Sequence, residues 1–255
     1  MTGWALVTGA TAGIGREFAV QLAERGHGVV LVARDGDRLR EVAAALPGET
    51  EMLQADLLDE AGIALVLDRV AATERPIDVL VNNAGFGLST DFDESGISDE
   101  LRQFDVLARV PLQLTHAALR QMLPRRTGTV LIVSSVAGFF GLGSYSAAKA
   151  WSLSFARWAN PYYRPAGVTV TAVAPGFVRT EFHERIGVRR ESMAPSFLWF
   201  DAPRLVRAAL RAADRGRAVA VPTVRYRLLT ASRALLSPIA RLGVARRGRL
   251  RISGR

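Results

Sequence analysis

Trp4-Ala5-Leu6-Val7-Thr8-Gly9-Ala10-Thr11-Ala12-Gly13-Ile14-Gly15 is the stretch on which the fold turns. It begins as a short apolar run and reaches glycine at position 9. Ile14, Phe18 and Leu22 then recur at helical spacing. Glycines at 9, 13 and 15 permit a tight turn and let another group approach the backbone closely. The helix that follows would aim its first N–H groups into that turn, where an anion such as phosphate is stabilised. Alone, a glycine-rich loop is only a turn. Between a first strand and a first helix it reads as a dinucleotide cradle.

The chain downstream repeats the strand–helix alternation. Strands are expected at 29–33, 51–55, 78–81, 129–133 and 168–173, with a short seventh at 218–221. Helices are expected at 37–46, 60–72, 101–123 and from 145 to about 158, the third kinked by Pro111. Residues 86–100 read as a polar loop. The apolar strands predict an α/β fold: one Rossmann-type, doubly wound parallel sheet of about seven strands with helices on both faces. No boundary or repeat stands out before residue 222, so residues 1–222 read as one domain.

Ligands of such sheets lie outside the carboxyl ends of the strands. The second strand ends at Arg34, a basic residue where a 2′-phosphate would be read, and this favours NADP(H) over NAD(H). Asp35 is the expected N-cap of the next helix, although an acid there could also take the ribose. The fourth strand runs into Asn82-Asn83-Ala84-Gly85, whose amides could bond loop backbone or a ligand. The fifth strand ends at Ser134-Ser135.

Tyr145 and Lys149 are four residues apart and so share one helix face. The spacing is common, but Lys149 is the only lysine in a chain whose other basic residues are all arginine. A cation beside a phenol favours the phenolate and eases proton exchange near neutral pH. Arginine would be bulkier there and would donate differently.

Composition narrows the function classes. There is no cysteine, which excludes disulfides and thiolate chemistry and fits a reducing, cytoplasmic compartment. His27, His116 and His183 are too scattered to suggest a metal site. The N-terminus starts a strand almost at once and shows no signal peptide. The charge-free stretch 128–148 holds four glycines and four serines and reads as strand, loop and helix start rather than a membrane span. The net charge of +9 resides entirely in residues 223–255, which carry nine arginines and no acid. The body of the chain is neutral, so specific nucleic-acid binding is not expected.

The order of these motifs resembles the short-chain dehydrogenase/reductase family over about residues 3–222. The resemblance rests on Thr8-Gly9-x-x-x-Gly13-Ile14-Gly15, Asn82-Asn83-Ala84-Gly85, Ser134-Ser135, Tyr145-x-x-x-Lys149 and Pro175-Gly176-x-Val178-x-Thr180. It implies Tyr145 as general acid in reduction and base in oxidation, with Lys149 lowering its pKa and holding the nicotinamide ribose. Ser135, rather than Ser134, would bond the substrate oxygen. Gly9, Thr11, Gly13, Ile14 and Gly15 would hold the pyrophosphate. Asp56 and Leu57 would bound the adenine, and Asn82, Ala84 and Gly85 the adenosine side. Pro175, Gly176, Val178 and Thr180 would seat the nicotinamide, and the substrate loop would span about 181–200.

Two departures accompany the resemblance. Leu107 stands where the family usually has an asparagine that helps hold a relay water behind the lysine. The ten positions from Ser135 to Tyr145 are also fewer than usual, so the pocket rim could be more open or Ser135 displaced. Two readings follow. One is an NADP(H)-dependent oxidoreductase acting on a hydrophobic ketone, aldehyde or secondary alcohol. The other is a non-enzymatic NADP(H)-binding sensor or scaffold with an impaired proton relay. Phe139, Phe140, Phe182, Phe197, Leu198 and Phe200 make the pocket surroundings apolar, while Arg179 and Arg185 could anchor a carboxylate.

Trp151, Phe155 and Trp158 form an aromatic face opposite Tyr145, which the resemblance makes a homo-oligomer contact. Residues 223–255 form a basic extension, helical and then disordered. Its segment 226–242 would pack over the substrate pocket or lie peripherally on an anionic membrane.

Overall fold

The computed structural model describes residues 2–180 and 198–232. Seven parallel strands build one sheet in the order β3-β2-β1-β4-β5-β6-β7. They are β1 (Thr2–Thr8), β2 (His27–Ala33), β3 (Thr50–Gln54), β4 (Ile77–Asn82), β5 (Gly128–Val133), β6 (Val168–Val173) and β7 (Val219–Ala220). The order reverses between β1 and β4, which opens the crevice where doubly wound sheets bind ligands.

Helices cover both faces. One layer holds α1 (Gly13–Glu24), α2 (Gly36–Ala45) and α7 (Ala202–Asp214). Phe18 and Leu22, Leu39 and Val42, and Leu205 and Val206 pack there against Val7, Leu31 and Val81. The opposite layer holds α3 (Glu60–Ala71), α5 (Val110–Arg125) and α6 (Ser144–Tyr163). Ile63, Leu114 and Leu153 pack there against Leu6, Leu80 and Ile132. Strand residues thus alternate between two cores, which is why the strands read as continuous apolar runs.

The region expected as a loop followed by one kinked helix differs. Helix α4 (Ile97–Phe104) already starts inside the presumed loop, and a π-helical turn, Asp105–Arg109, joins it to α5. Pro111 has no N–H to give the carbonyl of Leu107 four residues earlier. The chain widens to an i to i−5 pattern, seen in the bond from Val110 N–H to Asp105 O. Pro111 therefore lies in the first turn of α5, next to a π-turn rather than at a mid-helix kink. Asp35 is the cap of α2, accepting from the Arg38 N–H at 3.1 Å. Helix α6 runs five residues past its expected end, and α7 was not anticipated.

A short helix α8 (Val224–Ala231) closes the described chain. Tyr226 and Thr230 are buried beneath it, while Val224 and Leu228 are exposed. It packs on the turn after β5. The remainder of the basic extension, 233–255, lies outside the described residues, as does 181–197 of the substrate loop.

Candidate active site

The glycine loop is held by its neighbour strand. Thr8 Oγ1 accepts from the backbone N–H groups of Asn83 and Ala84 at 2.9 and 3.0 Å. Asn83 Nδ2 donates to the carbonyls of Thr8 and Gly9 at 2.9 and 3.2 Å. Gly9 and Gly13 have φ of 65° and 53°, which disfavours any side chain. A Cβ on Gly15 would collide with the Gly9 carbonyl oxygen and the Asn83 amide. The N-cap of α1, Ala12, provides no side-chain acceptor, so the helix's first N–H groups remain for a ligand. Thr11 and Ile14 are half-buried on the rim. The residues present fit a bound pyrophosphate.

Asn82 is different. Its Nδ2 donates to Thr115 Oγ1 at 3.1 Å inside the β4–α5 packing, so its side chain serves the core. Asn83, grouped with its neighbours in the sequence but not singled out, is the amide that shapes the cradle. Leu57 is likewise buried in the core, leaving its backbone to bound a ligand. Arg34 and Asp56 lie at adjacent strand ends with their charged groups 4.0 Å apart, both well exposed. Such a pair contributes about 0–1 kcal/mol, so Arg34 is readily redirected to a stronger anion. Gln54 Nε2 donates to the Arg34 carbonyl at 3.0 Å and sets the backbone there.

Strand β5 delivers the two serines to different tasks. Ser134 Oγ donates to the Lys149 carbonyl at 2.8 Å and is buried. Ser135 Oγ accepts from the Ala137 N–H at 3.1 Å, capping the turn that follows, and lies near enough to Tyr145 to favour its phenolate. The short connection does not separate them. A 3₁₀ turn, Val136–Phe139, follows Ser135 directly. A Cβ on Gly138 would be 2.8 Å from the Lys149 carbonyl carbon, so glycine lets this turn lie flat on α6.

Lys149 is buried, and its Nζ donates to the carbonyl of Val133 at 2.7 Å. Burial pushes its pKa down to about 8. Nζ lies 5.7 Å from the centre of the Tyr145 ring. Although Tyr145 is only half-buried, crowding of protein around the phenol pushes its pKa up to about 12, and Ser135 offsets part of this. Lys149, expected to lower it, is not among the causes of this shift. The ammonium is turned to a backbone carbonyl, and desolvation dominates. Leu107 sits behind the lysine. A Cβ on Gly85 would be 2.7 Å from Leu107 Cδ2 and 3.9 Å from Lys149 Nζ.

The segment after β6 completes the crevice. The Pro175 carbonyl accepts from the Val136 N–H at 2.8 Å, next to Ser135. At the other end, the Thr180 methyl lies 2.9 Å from where a Cβ on Gly13 would be. Residues 175–180 thus run from the serine to the glycine loop, with the Val178 side chain turned into the core. Phe177 and Trp199 pack with ring centres 5.3 Å apart, and Arg179 pairs with Asp201 at 2.9 Å. Phe182, Phe197 and Arg185 lie outside the described residues, as does His183.

A model described as short chain dehydrogenase matches residues 3–191. The 3-oxoacyl-(acyl-carrier-protein) reductase FabG of Escherichia coli (strain K12) is 34% identical over 184 residues, 69% of this chain and 74% of that protein. Among solved structures, a short-chain dehydrogenase from Sphingobium yanoikuyae in complex with NADPH superposes with a TM-score of 0.82. It shares 34% identity and 95% of each chain is covered. The bulky-bulky ketone specific alcohol dehydrogenase from Comamonas testosteroni gives a TM-score of 0.76 at 30% identity, covering 92% of this chain and 93% of that one. With its seven-stranded parallel sheet and these relatives, the chain belongs to the short-chain dehydrogenase/reductase family, oxidoreductases of carbonyl and alcohol groups.

Proposed function

We propose that the protein is an NADP(H)-dependent oxidoreductase that reduces hydrophobic ketones or aldehydes, or oxidises the matching secondary alcohols. The observation that carries this reading is the placement of Ser135 and Tyr145 together beside buried Lys149, whose Nζ is fastened to the end of β5, at the strand edge that also bears the glycine cradle. NADP(H), when bound, supplies or accepts the hydride. Gly9, Gly13 and Gly15 with the α1 N-terminus hold its pyrophosphate, and Arg34 takes the 2′-phosphate. Ser135 and Tyr145 hold the substrate oxygen, and Tyr145 gives it a proton as charge develops. A phenol pushed up to about 12 is protonated at neutral pH, the form that can give its proton to a developing alkoxide. Lys149 orients the ribose side of the site.

The apolar preference is supported by Phe177 and Trp199, packed together at the segment after β6, and by the bulky ketone named for the Comamonas testosteroni relative. The pairing of Arg179 with Asp201 makes it a weak anchor for a substrate carboxylate. Self-association through α6 is part of the proposal. Trp151, Phe155, Trp158 and Tyr162 form a run of ring contacts along it, two stacked and one edge-on, and Trp158 and Tyr162 are 53% and 66% exposed. Among the described residues no helix is long and apolar enough to cross a membrane. Contact of the arginine-rich extension with anionic membrane surface is proposed from its charge alone.

The test is loss of NADPH absorbance over a panel of aromatic and long-chain ketones and aldehydes, with NADH in parallel and Tyr145→Phe as control. Turnover with NADPH that falls sharply in Tyr145→Phe is the expected result. Tight NADPH binding without turnover would instead favour the non-catalytic sensor suggested by Leu107.

A further inference from the structure

Tyr226 lies on α8, beyond the last strand and outside every motif of the site. Its ring covers Gly176 so closely that a Cβ there would overlap it. Its hydroxyl accepts from the Phe177 N–H and donates to the Leu198 carbonyl, each at 3.1 Å. One buried oxygen therefore ties together the chain just before and just after residues 181–197. The same two stretches are also paired through their backbones, beside the Phe177–Trp199 ring contact and the Arg179–Asp201 ion pair. Phe200 N–H donates to Phe177 O at 3.2 Å, and Arg179 N–H donates to Phe200 O at 3.1 Å. Tyr226 adds an element from outside the pair, and its ring also approaches Phe200, with centres 5.9 Å apart.

The placement of this clamp matters because of what residues 175–180 touch. Their first residue is bonded next to Ser135, and their last reaches Gly13. Any sideways slip of Phe177 would move one wall of the crevice relative to both the serine and the glycine loop. Tyr226 is itself held in register. Its N–H is capped by Thr223 Oγ1 at 3.3 Å, and its carbonyl accepts from Thr230 Oγ1 at 2.8 Å.

We propose that Tyr226 is a positioning residue for the oxidoreductase reaction: its hydroxyl, delivered by the C-terminal helix, sets the 175–180 segment against bound nicotinamide and substrate. This rests on the NADP(H) reading above. It makes α8 part of the site through the segment that it holds.

Tyr226→Phe keeps the ring over Gly176 and removes both hydroxyl bonds. We expect the KM for ketone and the Kd for NADPH to rise, the first about tenfold, with a smaller change in kcat, since misplacement of a wall costs orientation. Hydrogen exchange at the Phe177 amide should quicken. Thr223→Ala, which loosens α8 without touching the ring, should shift the same quantities in the same direction by about two- to threefold, and it serves if Tyr226→Phe does not fold. Faster exchange and a lower melting temperature with unchanged KM and Kd would overturn the proposal, leaving a purely structural bond. Unchanged exchange would overturn it as well. Wild-type protein that binds NADPH but reduces nothing would defeat the catalytic reading, while the NADPH Kd of the variants would still decide the role of Tyr226. Wild-type protein that does not bind NADPH would defeat both.

Discussion

Lys149 donates from its buried Nζ to the carbonyl oxygen of Val133 at 2.7 Å, which fastens the only lysine of the chain to the last residue of β5. The bond orients the ammonium but does not restore its lost hydration, so its pKa is held at about 8 against an ordinary 10.5.

This has a consequence for stability. The unfolded chain binds that proton more tightly than the folded one, so protonation opposes folding below pH 8. The penalty lifts as pH rises from 8 towards 10.5, and it amounts to about 3 kcal/mol. Tyr145, raised from 10 to about 12, acts in the opposite sense above pH 10 and closes the window. Urea unfolding should show wild-type stability rising between pH 8 and 10, and Lys149→Met should flatten that rise. A wild-type profile without any rise would show that Lys149 is not strained by burial.

The phenol gives a separate pH signature. Alcohol oxidation needs the Tyr145 phenolate, so its rate should climb about tenfold per pH unit while the phenol stays protonated. Ketone reduction uses the protonated form and should stay level across pH 6–8. Initial rates in both directions check this. Oxidation that is flat from pH 7 to 10 would mean that another group takes the proton.

Ser135→Ala and Tyr145→Phe should each lower kcat/KM by about 10²–10⁴-fold, with melting temperatures close to wild type. Ser134→Ala should behave differently. It removes a buried bond to the Lys149 carbonyl and should cost about 1 kcal/mol of stability with less effect on turnover.

The cradle can be tested without turnover. Gly15→Ala places a methyl against the Gly9 carbonyl and the Asn83 amide. It should weaken NADPH binding at least tenfold and destabilise the fold by about 1–3 kcal/mol. Gly141→Ala, where a Cβ meets nothing within 4 Å, is the neutral control. Arg34→Ala should weaken NADPH binding about tenfold or more and leave NADH nearly unchanged, read by nicotinamide fluorescence. Equal loss for both cofactors would remove Arg34 from the 2′-phosphate.

The parallel sheet was legible because each strand is a continuous apolar run closed by a motif, a pattern that a sheet buried on both faces imposes. The glycine loop, the Ser135 end of β5 and the Tyr145–Lys149 spacing were legible because each needs particular residue types at fixed offsets. What escaped depends on contacts between distant parts. The divergent duties of Asn82 and Asn83 follow from Thr115 and from the glycine loop, neither of which is near in sequence. The π-turn at 105–109 had a local signal in Pro111, but a missing N–H says only that an α-helical bond is lost, not how the helix adapts. The raised pKa of Tyr145 reflects crowding that no spacing rule contains. Tyr226 sits in a basic stretch whose composition signals a charged surface, and its burial follows from Phe177 and Leu198, which are distant in sequence.

The bonds between Thr8 and Asn83 span 75 residues. The glycine motif therefore acquires its shape only after β1 and β4 have paired, and a fragment ending before residue 82 would carry the motif without its supports. Loops closed over such separations form late and together with the sheet. Recovery of nucleotide binding during refolding should accordingly report completion of the central strand pair, not the local formation of the first strand and helix.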